Sequence, residues 1–138
     1  IVNTNEKVVF VFVNTFKFID HPRVLFLPPI IDPQEKTNFI NSCDAMIHAR
    51  SGGESFGLAI CEFLFHNKPV FAWNNGTDKN HIELLRPFDT LYNDENDLVS
   101  KIESFLKERE KFDTDYQTVV NEFEPKKVIN KFNTIFLK

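Results

Sequence analysis

Glu54-Ser55-Phe56-Gly57-Leu58-Ala59-Ile60-Cys61-Glu62 sets two glutamates around a Phe-Gly-Leu turn. Asp44–Ala49, short and largely apolar, precedes it as a strand, followed by the loop Arg50-Ser51-Gly52-Gly53. The apolar spacing after the turn predicts a helix from near Ser55 or Phe56 to near His66-Asn67. Glu54 then precedes the helix, Gly57 falls in its first turn and Glu62 lies two turns in. A glycine at that point lets a ligand approach the backbone closely. Unpaired N–H groups and the positive dipole end of the helix favour an anion such as a diphosphate. An ionised carboxylate offers only acceptors, which suits ribose or hexose hydroxyls. An anion at the helix tip with hydroxyl acceptors beside it matches the chemistry of a sugar nucleotide.

Strand and helix patterns alternate outward from this stretch. Val8–Val13 and Val24–Leu27 are short, β-branched and aromatic, and read as buried strands. Pro28-Pro29 stops the second, and Asp32 before Pro33 is an N-cap and N1 pair opening a helix to about Ser42. Pro69–Trp73 reads as another strand, Asn74–Asp78 as a loop and Lys79–Leu85 as a short helix. Thr90–Tyr92 is a brief strand before a helix over about Glu95–Glu110, with Leu98, Ile102 and Leu106 on one face. A last helix starts near Pro125 and carries Val128, Phe132, Ile135 and Phe136 as a stripe expected to pack into the core, with an interface to a missing partner domain as the alternative. This alternation predicts an α/β fold, a Rossmann-like parallel sheet with helices on both faces. Ligands of such sheets bind beyond the carboxyl ends of the strands, the edge at which the loop from Ala49 to Phe56 is expected.

A chain of 138 residues buries roughly two-thirds of its unfolded surface and is read as one domain, residues 1–138. A net charge of −4 and the lack of a basic face argue against a nucleic-acid partner. No apolar run is long enough for a membrane span, and no signal peptide is recognisable. Cys43 and Cys61 have neither metal-ligand nor redox spacing, so a reducing, cytoplasmic setting is expected. The chain opens at Ile1, close to a strand, and is expected to be a piece of a longer protein.

Cys43-Asp44 through Leu85 resembles the C-terminal, nucleotide-sugar-binding domain of GT-B glycosyltransferases, in particular the retaining group called glycosyltransferase family 4. The ordered elements are Ser42-Cys43-Asp44 before the strand to Ala49-Arg50, then Glu54-Ser55-Phe56-Gly57-Leu58, Glu62, and Lys68-Pro69-Val70-Phe71. Val24–Leu27 resembles the strand before the family's nucleobase loop, so the likeness runs roughly from Val8 to Leu106. The resemblance implies that Glu54, the position assigned to catalysis, contacts the donor sugar's hydroxyls and that Glu62 holds the ribose. It further implies that amides at Ser55, Phe56, Gly57 and Leu58 meet the sugar or diphosphate, with Arg50 as a phosphate partner. The implied activity is hexosyl transfer with retention from a UDP- or GDP-linked donor to a glycan, lipid or protein acceptor. No cofactor or metal is implied, because the helix end and basic side chains neutralise the leaving diphosphate. The acceptor site belongs to an N-terminal domain outside this sequence, so the chain alone is expected to be inactive.

Several positions depart from the family pattern. The glycine-containing loop with an Arg and a Lys after the first strand is not found. His66-Asn67 replaces the usual Gly before Lys-Pro-Val, Pro28-Pro29 stands where glycine is common, and Asn75-Gly76-Thr77 stands for Gly-Gly.

Plainer readings stand beside the functional ones. Glu54 could serve the helix dipole, worth about 0.3–1 kcal/mol. Glu62 has the alternative of a solvated helix face, Gly57 that of close strand packing, and Arg50 that of a surface ion pair. Lys79 and His81 are candidates to reach the donor's phosphates or sugar, and His48 and His66 are assigned no role. Asp113-Thr114-Asp115 reads as a solvated turn. Rival functions are a sugar-nucleotide epimerase of the same architecture and a non-catalytic nucleotide-binding module. A dehydrogenase is disfavoured, since no Gly-x-Gly-x-x-Gly follows a strand.

Overall fold

The structure, a computed structural model, describes residues 1–137. It is mixed α/β, and every strand pairing in it is parallel. The chain divides into two compact units, Ile1–Ser42 and the remainder from Cys43.

In the first unit, strands β1 (Phe10–Val13) and β2 (Val24–Leu27) pair in register from Phe10 opposite Val24 to Val13 opposite Leu27. Phe12 stacks on Phe26 at 5.4 Å, and Phe18 meets both rings edge-on. Helix α1 (Pro33–Ser42) begins where Asp32 and Pro33 predict. The Asp32 carboxylate accepts the amides of Gln34 and Glu35, both at 2.9 Å, and so satisfies two of the first-turn donors.

The second unit is built on β3 (Met46–His48), β5 (Val70–Trp73) and β7 (Leu91–Tyr92), with β5 in the middle. Val70, Phe71 and Ala72 are all buried. Successive strand residues point to opposite faces, so both faces of β5 are covered. Phe71 packs with Tyr92 and with Phe105 of helix α4 (Glu95–Lys107), where Ala45, Ile47 and Leu98 close around them. Helix α2 (Leu58–Phe65) contributes Ile60, Phe63 and Leu64 to the interior.

Two further strands are only two residues each: β4 (Gly53–Glu54) and β6 (Asp78–Lys79), paired Gly53 to Asp78 and Glu54 to Lys79. Helix α3 (Asn80–Leu85) follows directly. After α4 come a 3₁₀ turn at Arg109–Phe112, helix α5 (Gln117–Val120), a second 3₁₀ turn at Asn121–Phe123 and helix α6 (Pro125–Phe136).

Several expectations change. Helix α2 starts at Leu58, two or three residues later than its apolar spacing suggests, because Gly57 takes φ +86° and cannot sit in a right-handed turn. Glu62 is therefore one turn into the helix. Helix α4 ends at Lys107, and Phe105 is more deeply buried than Leu106. The stripe on α6 is not core: Val128, Phe132, Ile135 and Phe136 are all exposed, Phe136 by 67%. Asp113 and Asp115 are solvent-exposed, and Asp115 accepts the Gln117 amide at 3.0 Å at the start of α5. Among the described residues no helix is long and apolar enough to cross a membrane.

Candidate functional site

All three strands of the β3–β5–β7 sheet end at one edge, and the loops that leave there carry most of the residues singled out by the sequence. The loop after β3 runs through Arg50 to Glu54, and the loop after β5 runs from Asn74 to Asp78. The two are locked backbone to backbone. The amides of Thr77 and Asp78 both donate to the Gly52 carbonyl at 3.1 Å. Gly53 has φ +75°, and a Cβ there would lie 1.9 Å from the Asp78 carbonyl oxygen. Gly76, at φ +132°, faces it and is also too close for a side chain, a Cβ falling 2.7 Å from the Gly53 nitrogen. Both glycines are thus required by contact as well as by conformation.

Glu54 sits in the middle of this junction. His48, the last residue of β3, places Nε2 3.0 Å from Glu54 Oε1, and Arg50 Nη1 donates to the same oxygen at 3.0 Å. The Glu54 amide donates to His81 Nδ1 at 3.3 Å, and His81 Nε2 lies 2.8 Å from the Trp73 carbonyl. These bonds set the tautomers. A carbonyl only accepts, so His81 carries its proton on Nε2 and leaves Nδ1 bare for the Glu54 amide.

Burial by itself would raise the Glu54 carboxyl. The hydrogen bonds from His48 and Arg50, with their charge, outweigh it and hold the group below the usual carboxylate range. Glu54 is therefore a standing carboxylate, its side chain 20% exposed, and His48 must donate to it through Nε2–H. The opposite ring nitrogen, His48 Nδ1, is buried and has no hydrogen-bond partner.

The turn continues through Ser55 and Phe56 to Gly57, which caps α2 without a side-chain bond. Asn80 donates its side-chain amide to the Ser55 carbonyl, tying the turn to the start of α3. Phe56 is exposed on one side and rests edge-on against Phe123 at 4.9 Å. The first intrahelical bond is from Cys61 to the Gly57 carbonyl, so the amides of Leu58, Ala59 and Ile60 precede the helical ladder. Leu58 is 71% exposed, and Glu62, four residues on, shares its face of the helix.

The structure thus brings together Arg50, Glu54, Ser55, Phe56, Gly57 and Leu58 on one loop, with Glu62 in line above the turn. Arg50 is in an ion pair with Glu54, the plainer of its two readings. Lys79 stands opposite Glu54 in the β4–β6 register and is exposed. His81, a candidate for reaching a ligand, is completely buried, and both ring nitrogens are engaged by backbone. His48, assigned no role from the sequence, proves to be the main buried support of Glu54. A polar residue closing the otherwise apolar strand Met46-Ile47-His48 is the one signal that marked it.

Other features lie elsewhere. An open cleft of about 340 Å³ is lined by Asp44, Phe105, Arg109 and Phe112, near the amino ends of β3 and β5, away from the edge where α/β sheets bind ligands. Cys61 is half-buried, and burial pushes its thiol up, which disfavours a thiolate nucleophile. Among the described residues no group of three or more His, Cys, Asp and Glu side chains is placed to hold a metal ion. Compared with known protein families, curated proteins and solved structures, the chain matches none.

Proposed function

We propose that this chain is the nucleotide-sugar-binding half of a two-domain, retaining, metal-independent glycosyltransferase acting in the cytoplasm, with a Rossmann-like arrangement of its sheet and helices. The observation that carries the reading is the turn from Glu54 to Glu62. A charged acceptor, a glycine with left-handed backbone, three amides ahead of a helical ladder and a second carboxylate follow one another at the carboxyl edge of a parallel sheet. Each part has a counterpart in a sugar nucleotide. Glu54 accepts from sugar hydroxyls. The exposed amides at Leu58 and Ala59 and the positive helix end receive the diphosphate. Glu62 accepts from the ribose. Arg50 and Lys79, both exposed and next to Glu54, supply positive charge for the leaving diphosphate.

Transfer with retention then needs little from this half beyond holding the donor and stabilising the departing diphosphate. The acceptor, a glycan, lipid or protein, binds on an upstream domain, and the chain alone binds donor without turning it over. Saturation-transfer NMR on UDP-glucose and GDP-mannose tests the assignment. Glu54→Ala should weaken transfer to the hexose protons and Glu62→Ala transfer to the ribose protons. Equal loss from every part of the ligand in both variants, or no transfer in the parent chain, refutes it.

A further inference from the structure

The pairing of two histidines with one glutamate is more than the turn itself requires. His48 and His81 come from different elements, β3 and α3, and their rings lie 5.8 Å apart. One engages the side chain of Glu54 and the other its backbone amide. His48 is 7% exposed, and its Nδ1 is left without a partner, so a polar ring nitrogen has been left unpaired inside the protein to present Nε2–H to this carboxylate. A leucine in its place would fill the space without that cost, and Arg50 alone would still neutralise the charge. Arg50, however, is 67% exposed on a long flexible side chain and does not fix a direction.

We propose that His48 is a positioning residue for the donor sugar, setting the Glu54 carboxylate so that it accepts from the sugar's hydroxyls. The inference rests on the donor-site reading above and adds to it the group that gives the site its preference for a sugar conjugate over the bare nucleotide. The reason is geometric. Both contacts fall on Oε1, and the one from buried His48 anchors that oxygen while neither engages Oε2. A carboxylate held in place before the ligand arrives loses less rotamer freedom on binding than one free to turn. The diphosphate and ribose, bound through backbone amides and Glu62, do not touch this carboxylate and gain nothing from it.

The test is amide-shift titration of the parent chain, His48→Leu and His48→Gln with UDP against UDP-glucose and GDP against GDP-mannose. Gln carries an N–H in the place of Nε2–H, and Leu carries none. The parent chain should bind one conjugate more tightly than its nucleotide. His48→Leu should lose roughly ten- to a hundredfold on the conjugate and little on the nucleotide, with His48→Gln recovering most of the difference. An unchanged preference in His48→Leu overturns the positioning role while leaving the donor site standing. Silence towards nucleotide and conjugate alike overturns the donor site, and the role of His48 with it. The ligand-free ¹⁵N spectrum of the imidazoles gives an independent readout should His48→Leu not fold. Glu54→Gln should move the His48 Nε2 signal and leave His81 in its Nε2–H tautomer, and an unmoved His48 signal contradicts the proposal.

Discussion

Gly53, Glu54 and Tyr116 show how much single residues decide here. At Gly53 a methyl group would overlap a backbone oxygen, and nothing flexible is available to yield. Gly53→Ala should therefore cost about 2 kcal/mol or more and separate the β4 and β6 loops. Chemical denaturation reads the cost, and the amide shifts of Thr77 and Asp78 read the separation. Glu54 makes a pH prediction. Its carboxyl is held below its ordinary value of 4.5, so the unfolded chain binds its proton first as the pH falls. The stabilisation is present above that value and is lost as the pH drops through the lower, folded one. Glu54→Gln should flatten the acid limb of stability against pH in that window. Tyr116 acts at the other end. It is buried, its hydroxyl donates to the Phe112 carbonyl at 3.0 Å, and burial pushes its pKa up to about 12. Stability is retained below the ordinary tyrosine value of 10.0 and falls as the pH rises towards 12. Tyr116→Phe should remove that loss, as alkaline denaturation curves would show. Glu54 and Arg50 were legible in the sequence because they belong to one short ordered motif. His48 and His81 were not, since a bond such as that from the Glu54 amide to His81, 27 residues away, is created only by the pairing of two loops.

At the scale of elements, local chemistry was the most legible. Asp32, read as a cap from its place before Pro33, caps α1, and the structure adds Asp94 as the cap of α4, accepting the Asp97 amide at 2.9 Å. Asp94→Ala should destabilise the protein by about 1 kcal/mol, visible as a lower denaturation midpoint with an unchanged slope. The start of α2 was misplaced for an equally local reason. Apolar spacing runs straight through Gly57, and only its left-handed backbone delays the helix to Leu58. Strands β4 and β6 carry no periodicity in two residues each, so nothing in their composition announces them. Helix α6 shows the limit of periodic reading. Its spacing correctly marks a helix with one apolar face, yet that face is exposed, because amphipathicity says which side of a helix seeks cover and not whether the chain supplies it.

For the whole molecule, the alternation of strands and helices predicted parallel pairing, and each pair is parallel. The grouping into three separate sheets was not legible, since it depends on which strands meet rather than on what each contains. The interior of the larger unit turns on Phe71, 1% exposed between Tyr92 and Phe105. Phe71→Ala should cost about 3–5 kcal/mol, enough to threaten folding, and its loss of thermal midpoint checks the core. The functional account rests on the turn at the carboxyl edge of that core, and titration with UDP, GDP and ADP, followed through the amides of Phe56, Gly57 and Leu58, tests it most directly. One nucleotide should move those amides, with affinity near 1 mM, about −4 kcal/mol, and Glu62→Ala should weaken the response. No movement of that turn with any of the three, at concentrations about tenfold above that affinity, would contradict the account.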